Sequence, residues 1–233
     1  MIRWMALTSF VVFAAVITSE AQATKTDPSD LQTWTSVGAG IDYKRWDASL
    51  DYQLRMEGNS QVYKGSYLSP EVGYRLLKGL RGFANFRIAF TSFGSSERWG
   101  MGMEYVHKFG KWSVTIRPQM QYTQQYVDDG DTGNPDKWML RLKGTLKYPL
   151  TDNLSAYASL EPFYRVTDNW AKDNIRNSMG IRWNFAHGQK LDAFFMYRPD
   201  YVKKYVRTFY VIGMQWSYTW KVDDKKKQTT SGK

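Results

Sequence analysis

His107 and His187 are the only histidines in the 233 residues, and cysteine is absent. Thiol catalysis, disulfides, zinc–cysteine sites and iron–sulfur clusters are therefore excluded. A hydrolytic triad, of the kind an outer-membrane phospholipase needs, requires serine, histidine and an orienting polar partner within hydrogen-bond reach. Both histidines lie beside expected short turns, outside any recognisable motif. They read as polar residues at a membrane interface, with catalysis on lipid or lipopolysaccharide as the alternative. The stretch Asp128-Asp129-Gly130-Asp131-Thr132-Gly133-Asn134 carries oxygen ligands suited to calcium. It lacks the spacing and final Glu of an EF-hand, so it reads as an acidic loop. No catalytic residue, metal or cofactor is expected.

The arginines have a clearer pattern. Arg55, Arg75, Arg87, Arg117, Arg141, Arg165, Arg182 and Arg198 fall on the polar faces of alternating stretches. Glu71, Glu104, Glu161, Asp51 and Asp192 fall on the same faces. Guanidinium forks can bind an anion such as phosphate or a sugar acid. They can also pair with neighbouring carboxylates and stiffen a narrow bore. The interleaving of the two signs favours pairing, and anion binding stays open beside it.

The elements that carry these residues repeat one design. From Trp46 to Met56, the residues Trp46, Ala48, Leu50, Tyr52, Leu54 and Met56 alternate with Asp47, Ser49, Asp51, Gln53 and Arg55. Successive side chains of a strand point to opposite faces, so one face is apolar and the other ionic. Trp112–Tyr122 and Trp138–Leu150 follow the same rule, with Arg117 and Arg141 on the polar side. Eight further stretches between Leu31 and Trp220 match it, which makes eleven candidate strands. A helical period would scramble these faces. Closed bacterial barrels generally have even counts. Ten or twelve strands are therefore also open, with a hidden strand sought before Trp34 or near Tyr201–Tyr205.

Connections alternate as well. The short ones are Lys44-Arg45, Lys78-Gly79, Gly110-Lys111, Thr151–Asn153 and Gly188–Lys190. Longer ones are expected near Gly58–Lys64, Gly94–Arg98, Asp128–Lys137, Asn169–Asn177 and Pro199–Val206. This asymmetry is that of outer-membrane barrels. Tyr43, Trp46, Phe109, Trp112, Tyr148, Phe185 and Trp220 flank the short turns as a candidate interface girdle. Charges on a lipid face would cost about 2–4 kcal/mol per Arg or Lys near the midplane, so the ionic face belongs inside. The expected fold is all-β: a closed antiparallel up-and-down transmembrane β-barrel of 10–12 strands. A soluble exported lipid-binding barrel, apolar inside, is the competing reading.

Composition agrees with export. Mean hydropathy is −0.55, too low for a helical membrane protein, yet aromatics reach 16%, too rich for a disordered chain. Residues 1–23 have the layout of a secretory signal peptide: Arg3, the apolar run Trp4–Ile17, then Ala21-Gln22-Ala23. Residues 24–30 form a lead-in, 31–220 the barrel, and 221–233 a basic solvated tail. The net charge of +10 on an exported chain points to lipopolysaccharide phosphates rather than nucleic acid. Outer-membrane lipid and the barrel-assembly machinery are the other expected partners. The expected role is non-enzymatic: a structural barrel or a narrow ion-lined conduit.

Several local patterns resemble an uncharacterised family of exported outer-membrane barrel proteins of Gram-negative bacteria. They are Asp30-Leu31-Gln32-Thr33-Trp34, the basic turn Lys44-Arg45-Trp46, Tyr52-Gln53-Leu54-Arg55, and the hairpin segments Leu142–Tyr148 and Tyr157–Phe163. The resemblance covers most of 30–220 and implies location and architecture, with no catalytic motif to transfer. One departure is the tail after Trp220, since such barrels usually end on the aromatic of the last strand.

Overall fold

The computed structural model describes residues 29–91, 94–126, 137–185, 188–201 and 207–222. Eleven strands follow one another: β1 (Ser29–Tyr43), β2 (Trp46–Glu57), β3 (Val62–Leu77), β4 (Leu80–Thr91), β5 (Gly94–Phe109), β6 (Trp112–Tyr126), β7 (Lys137–Pro149), β8 (Leu154–Arg165), β9 (Ala171–Asn184), β10 (Gln189–Asp200) and β11 (Arg207–Val222). A 3-10 turn, Val166–Asp168, links β8 to β9. Each strand pairs with its sequence neighbour, and β1 pairs with β11, so the sheet closes into a barrel. The signal-peptide residues, the acidic stretch 128–134, His187 and residues 223–233 lie outside the described residues.

The count is odd, and that fixes how the barrel closes. In an up-and-down chain every strand reverses its predecessor, so the first and last of eleven run the same way. β1 and β11 are indeed parallel, in register from Ser29↔Thr208 to Tyr43↔Val222. Every other pair is antiparallel. The even count expected from other closed barrels does not hold for the described strands. A parallel pair is only slightly weaker per residue than an antiparallel one, and this seam is fifteen pairs long.

The short turns gather at one mouth. Lys44 and Gly79 take the left-handed conformation at φ 55° and 81°, as tight two-residue hairpins demand. Gly79 could not carry a side chain in any case, because a Cβ there would sit 2.6 Å from the Val106 carbonyl oxygen. The longer connections gather at the opposite mouth.

Four of those connections are shorter than expected. Gly94–Arg98 is not a loop but the start of β5, Val62–Lys64 belongs to β3, Ala171–Asn177 to β9, and Pro199 and Asp200 to β10. These stretches are polar on both faces, which imitates a loop in sequence. Near a mouth the outer face is not bound to be apolar, and the ladder simply continues. The barrel likewise extends to Ser29 and Val222, two residues beyond each expected bound.

Side chains sort by face as the alternation predicts. Val37, Leu50, Val72, Met101, Ile116, Leu142, Ile181, Ile212 and Met214 point outward and are exposed. Gln119, Gln121, Ser159, Glu161 and Asp192 point inward and are buried. Among the described residues the one apolar cluster inside is small: Trp34, Met196 and Val211, with Phe194 against them.

Candidate functional site

The barrel interior holds the charged side chains, and they form a connected network. Beginning near the turn-side mouth, Arg81 of β4 binds both carboxylate oxygens of Asp47, and its Nη1 donates to Glu71 at 2.9 Å. Glu71 also accepts from Arg117 Nη2 at 2.5 Å and from Asn85 at 3.1 Å. The other Arg117 nitrogen reaches Glu104 at 3.2 Å. Asn85 accepts from Gln119 at 3.0 Å, and Gln119 accepts from Arg141 at 3.3 Å. Arg141 pairs with Glu161, which lies 3.9 Å from Arg176. The chain of contacts thus runs from β2 to β9. Arg117 on β6 reaches Glu71 on β3, three strands away, so the contact crosses part of the bore rather than following the wall.

A second group sits near the turn-side mouth. Asp192 accepts from Tyr157 Oη at 2.6 Å and from Arg182 Nε and Nη2 at 2.8 and 2.5 Å. Arg75 meets Asp42 at 3.3 Å, at the rim, where its side chain is half exposed. Asp51, expected to face an arginine, instead accepts from Gln215 at 3.1 Å.

The loop-side half of the bore differs. Arg165 pairs with Asp168 and, at 3.4 Å, with Asp173. Arg198 has Asp200 at 3.5 Å. Arg55, Arg87 and Arg98 have no carboxylate within ion-pair distance among the described residues. Each uses its Nε on a neutral oxygen instead: Gln53 at 2.7 Å, Ser69 at 2.8 Å and Thr123 at 3.1 Å. Arg55 is buried against two rings, 3.8 Å from the centroid of Trp34 and 4.1 Å from that of Tyr67. Arg87 lies 5.7 Å from the same Tyr67 ring. The interleaving of signs in sequence suggested that Arg55 and Arg87 would meet carboxylates. The fold brings none within ion-pair distance: Glu71 is taken by Arg81 and Arg117, and Asp51, the cross-strand partner of the Ser69 that Arg87 bonds to, accepts from Gln215 instead.

The sequence candidates lack three arginines of this interior, Arg81, Arg98 and Arg176, and also Asp47, Asp168, Asp173 and Asp200, which pair with Arg81, Arg165 and Arg198. Arg81 stands beside the Lys78-Gly79 turn, where parity with Arg87 places it inside. Arg98 and Arg176 fall in stretches that read as loops in sequence. The signal was again parity, since Arg98 continues the inward series Gly100, Gly102 and Glu104.

On the outer wall, aromatic side chains pair across strands near the short turns. Trp46 packs on Tyr74 at 4.8 Å and Trp112 on Tyr148 at 4.7 Å between centroids, while Tyr218 packs on Trp220 at 4.3 Å along β11 itself. Tyr43 lies under the Lys44 ammonium at 4.9 Å. Phe109 stacks with His107, which stacks with Tyr105, each pair at 6.3 Å. His107 is therefore part of an outward aromatic row, and among the described residues no serine or carboxylate bonds to it. Among the described residues no group of side chains forms a metal site.

Comparison with solved structures finds barrels. The chain is similar to one titled "Bacterial polysaccharide outer membrane secretin", with 9% identity over 72% of this chain and 73% of that one, at a TM-score of 0.46. It is also similar to an anion-selective porin from Comamonas acidovorans, with 12% identity over 74% of this chain and 52% of the porin, at a TM-score of 0.38. No curated protein matches the sequence. The family described as "Protein of unknown function (DUF2490)" matches residues 31–208, nearly the whole barrel, and the chain belongs to that family.

Proposed function

We propose that the protein is an integral outer-membrane barrel without enzymatic activity, serving as a structural element or a narrow, ion-lined conduit. One observation carries this reading. On four strands the outer face bears two aromatic residues ten positions apart: Trp99 and Phe109 on β5, Trp112 and Tyr122 on β6, Trp138 and Tyr148 on β7, Tyr210 and Trp220 on β11. Ten residues span about 33 Å along a strand, and a tilt of about 40° reduces that to about 25 Å of height. That is the height of the apolar band of an outer-membrane barrel, with an aromatic girdle at each edge. Between the two rows the outward residues include Met101, Met103, Ile116, Leu142, Ile212 and Met214, all exposed, with His107 next to the turn-side row.

The interior supports the same reading. A soluble lipid-binding barrel turns its apolar residues inward, and here the inward face is ionic. Arg117 and Glu71 reach each other across part of the bore from strands three apart, which narrows any passage. The short turns then face the periplasm and the longer connections the exterior. Tyr43, Trp46, Phe109, Trp112, Tyr148 and Trp220 serve as interface anchors, and lipid and lipopolysaccharide are the surrounding partners. Residues 1–23 direct export, and the barrel-assembly machinery inserts the chain.

Membrane fractionation combined with gel migration before and after boiling tests the proposal. A detergent-extracted protein whose unboiled form migrates faster is the expected result. A protein that stays soluble without detergent would overturn it.

A further inference from the structure

The loop-side half of the bore contains arginines that have no carboxylate within ion-pair distance among the described residues and bond only to neutral oxygens. Arg87 of β4 and Arg98 of β5 are direct cross-strand partners, and both point inward. Like charges placed opposite each other destabilise a sheet, and an uncompensated guanidinium in a narrow interior adds a desolvation cost. Each arginine also bonds in the same way: the Nε goes to a hydroxyl, of Ser69 or Thr123. Their Nη groups, the two-pronged ends that fit an oxyanion, have no hydrogen-bond partner among the described residues. Arg55 adds a third charge. Its distance to the Tyr67 centroid is 4.1 Å and that of Arg87 is 5.7 Å, which puts the two guanidiniums within about 10 Å of each other. Trp34 and Tyr67 hold the Arg55 plane by stacking, so its position does not depend on a carboxylate.

Nearby acids are engaged elsewhere. Glu161 is held by Arg141, Asp173 by Arg165 and Asn174, and Asp200 lies by Arg198. A second observation points the same way: the Nε of Arg198 and of Arg176 is buried without a hydrogen-bond partner. Two half-buried forks on adjacent strands and a stacked third cation form a built cradle rather than a solvated surface.

We propose that Arg87 and Arg98, with Arg55 beside them, bind a tetrahedral oxyanion of the phosphate or sulfate class inside the loop-side mouth of the barrel. Each guanidinium fork donates to two oxygens of such an anion at once. The anion also offsets the repulsion between Arg87 and Arg98. The inference goes beyond the conduit reading and needs only the closed barrel. An anion can rest at this site whether or not it crosses.

The test is thermal unfolding of detergent-refolded protein, followed by the gel shift between folded and boiled forms. Inorganic phosphate is titrated against chloride at constant ionic strength. Phosphate should raise the midpoint in a saturable way, as a ligand of the folded state does. R87Q/R98Q should weaken the apparent affinity by at least about tenfold, from the loss of charged hydrogen bonds. The single variants R98Q and R98K serve if the double variant does not fold: R98Q should lose several-fold in affinity and R98K should lose less. A second arm offers the phosphate on a lipid, as lipid A in the detergent micelle. Protection by inorganic phosphate assigns the site to a free solute, and protection by lipid A alone assigns it to a headgroup. No saturable protection by either, or equal protection in wild type and the Arg98 variants, would overturn the proposal. Conductance is not read in this experiment, so a barrel that binds phosphate without conducting retires only the conduit reading.

Discussion

Arg117 on β6 holds Glu71 on β3 at 2.5 Å across three strands of the barrel. The same Glu71 accepts from Arg81 at 2.9 Å and from Asn85 at 3.1 Å. One carboxylate therefore organises two guanidiniums from different walls. A partly buried ion pair is weak evidence for net stability, but its removal from one side is costly. Nothing comparable joins Arg87 to Arg98. The bore thus has two electrostatic regimes: a paired middle and a cationic loop-side mouth.

The first prediction concerns Glu71. In Glu71→Gln the two guanidiniums lose their shared charge, and the barrel should lose about 3 kcal/mol of stability. The midpoint of urea unfolding, followed by tryptophan fluorescence in detergent or lipid vesicles, measures this. An unchanged midpoint would mean that water, rather than Glu71, carries the compensation.

The second prediction separates a lipid face from a water face. Ile116 lies between the aromatic residues Trp112 and Tyr122 and is 53% exposed. In a bilayer, Ile116→Arg should cost about 2–4 kcal/mol. On a protein surface in water the same change stays within about 0.5 kcal/mol. Reversible unfolding from lipid vesicles gives the value, and a cost near zero would remove lipid from the outer wall.

Much of this was legible in the sequence, for a definite reason. The two-residue period is a property of the strand itself, so Trp46–Met56 or Trp112–Tyr122 shows its two faces without any knowledge of neighbours. The strand ends were not legible. Ser95, Ser96 and Arg98 carry on the ladder of β5, but polar residues on both faces look like a loop when burial is the only guide. Nor could the sequence pair the charges. Glu71 and Arg117 are 46 residues apart, and only closure of the sheet brings them together. The absence of a paired carboxylate at Arg55 and Arg87 is equally a matter of which neighbours claim Glu71 and Asp51, which composition does not encode. The parallel seam between β1 and β11 has no local signature and follows from the count alone.

The third prediction follows from that seam. β1 begins at the loop-side mouth and β11 ends at the turn-side mouth, because eleven strands place the two chain ends on opposite sides. An epitope placed just before Ser29 should be reached by antibody on intact cells. One placed after Val222 should be reached only after the outer membrane is opened. Labelling of both on the same side would require an even number of strands.

The fourth prediction turns on the two regimes of the bore. The narrow middle, crossed by Arg117 and Glu71, should hold single-channel conductance well below that of a large porin, or close the pore altogether. If ions pass, the loop-side mouth they enter is lined by Arg55, Arg87 and Arg98, none with a carboxylate within ion-pair distance among the described residues, and a cationic lining favours anions. Reversal potentials in a planar bilayer under a potassium chloride gradient should then show anion preference. Arg87→Gln with Arg98→Gln should reduce that preference while leaving the middle network intact. Cation preference in the wild type would mean that the electrostatics of the paired middle, not of the mouth, govern passage. Large, unselective steps would mean that the side chains reaching from Arg117 to Glu71 do not obstruct the bore.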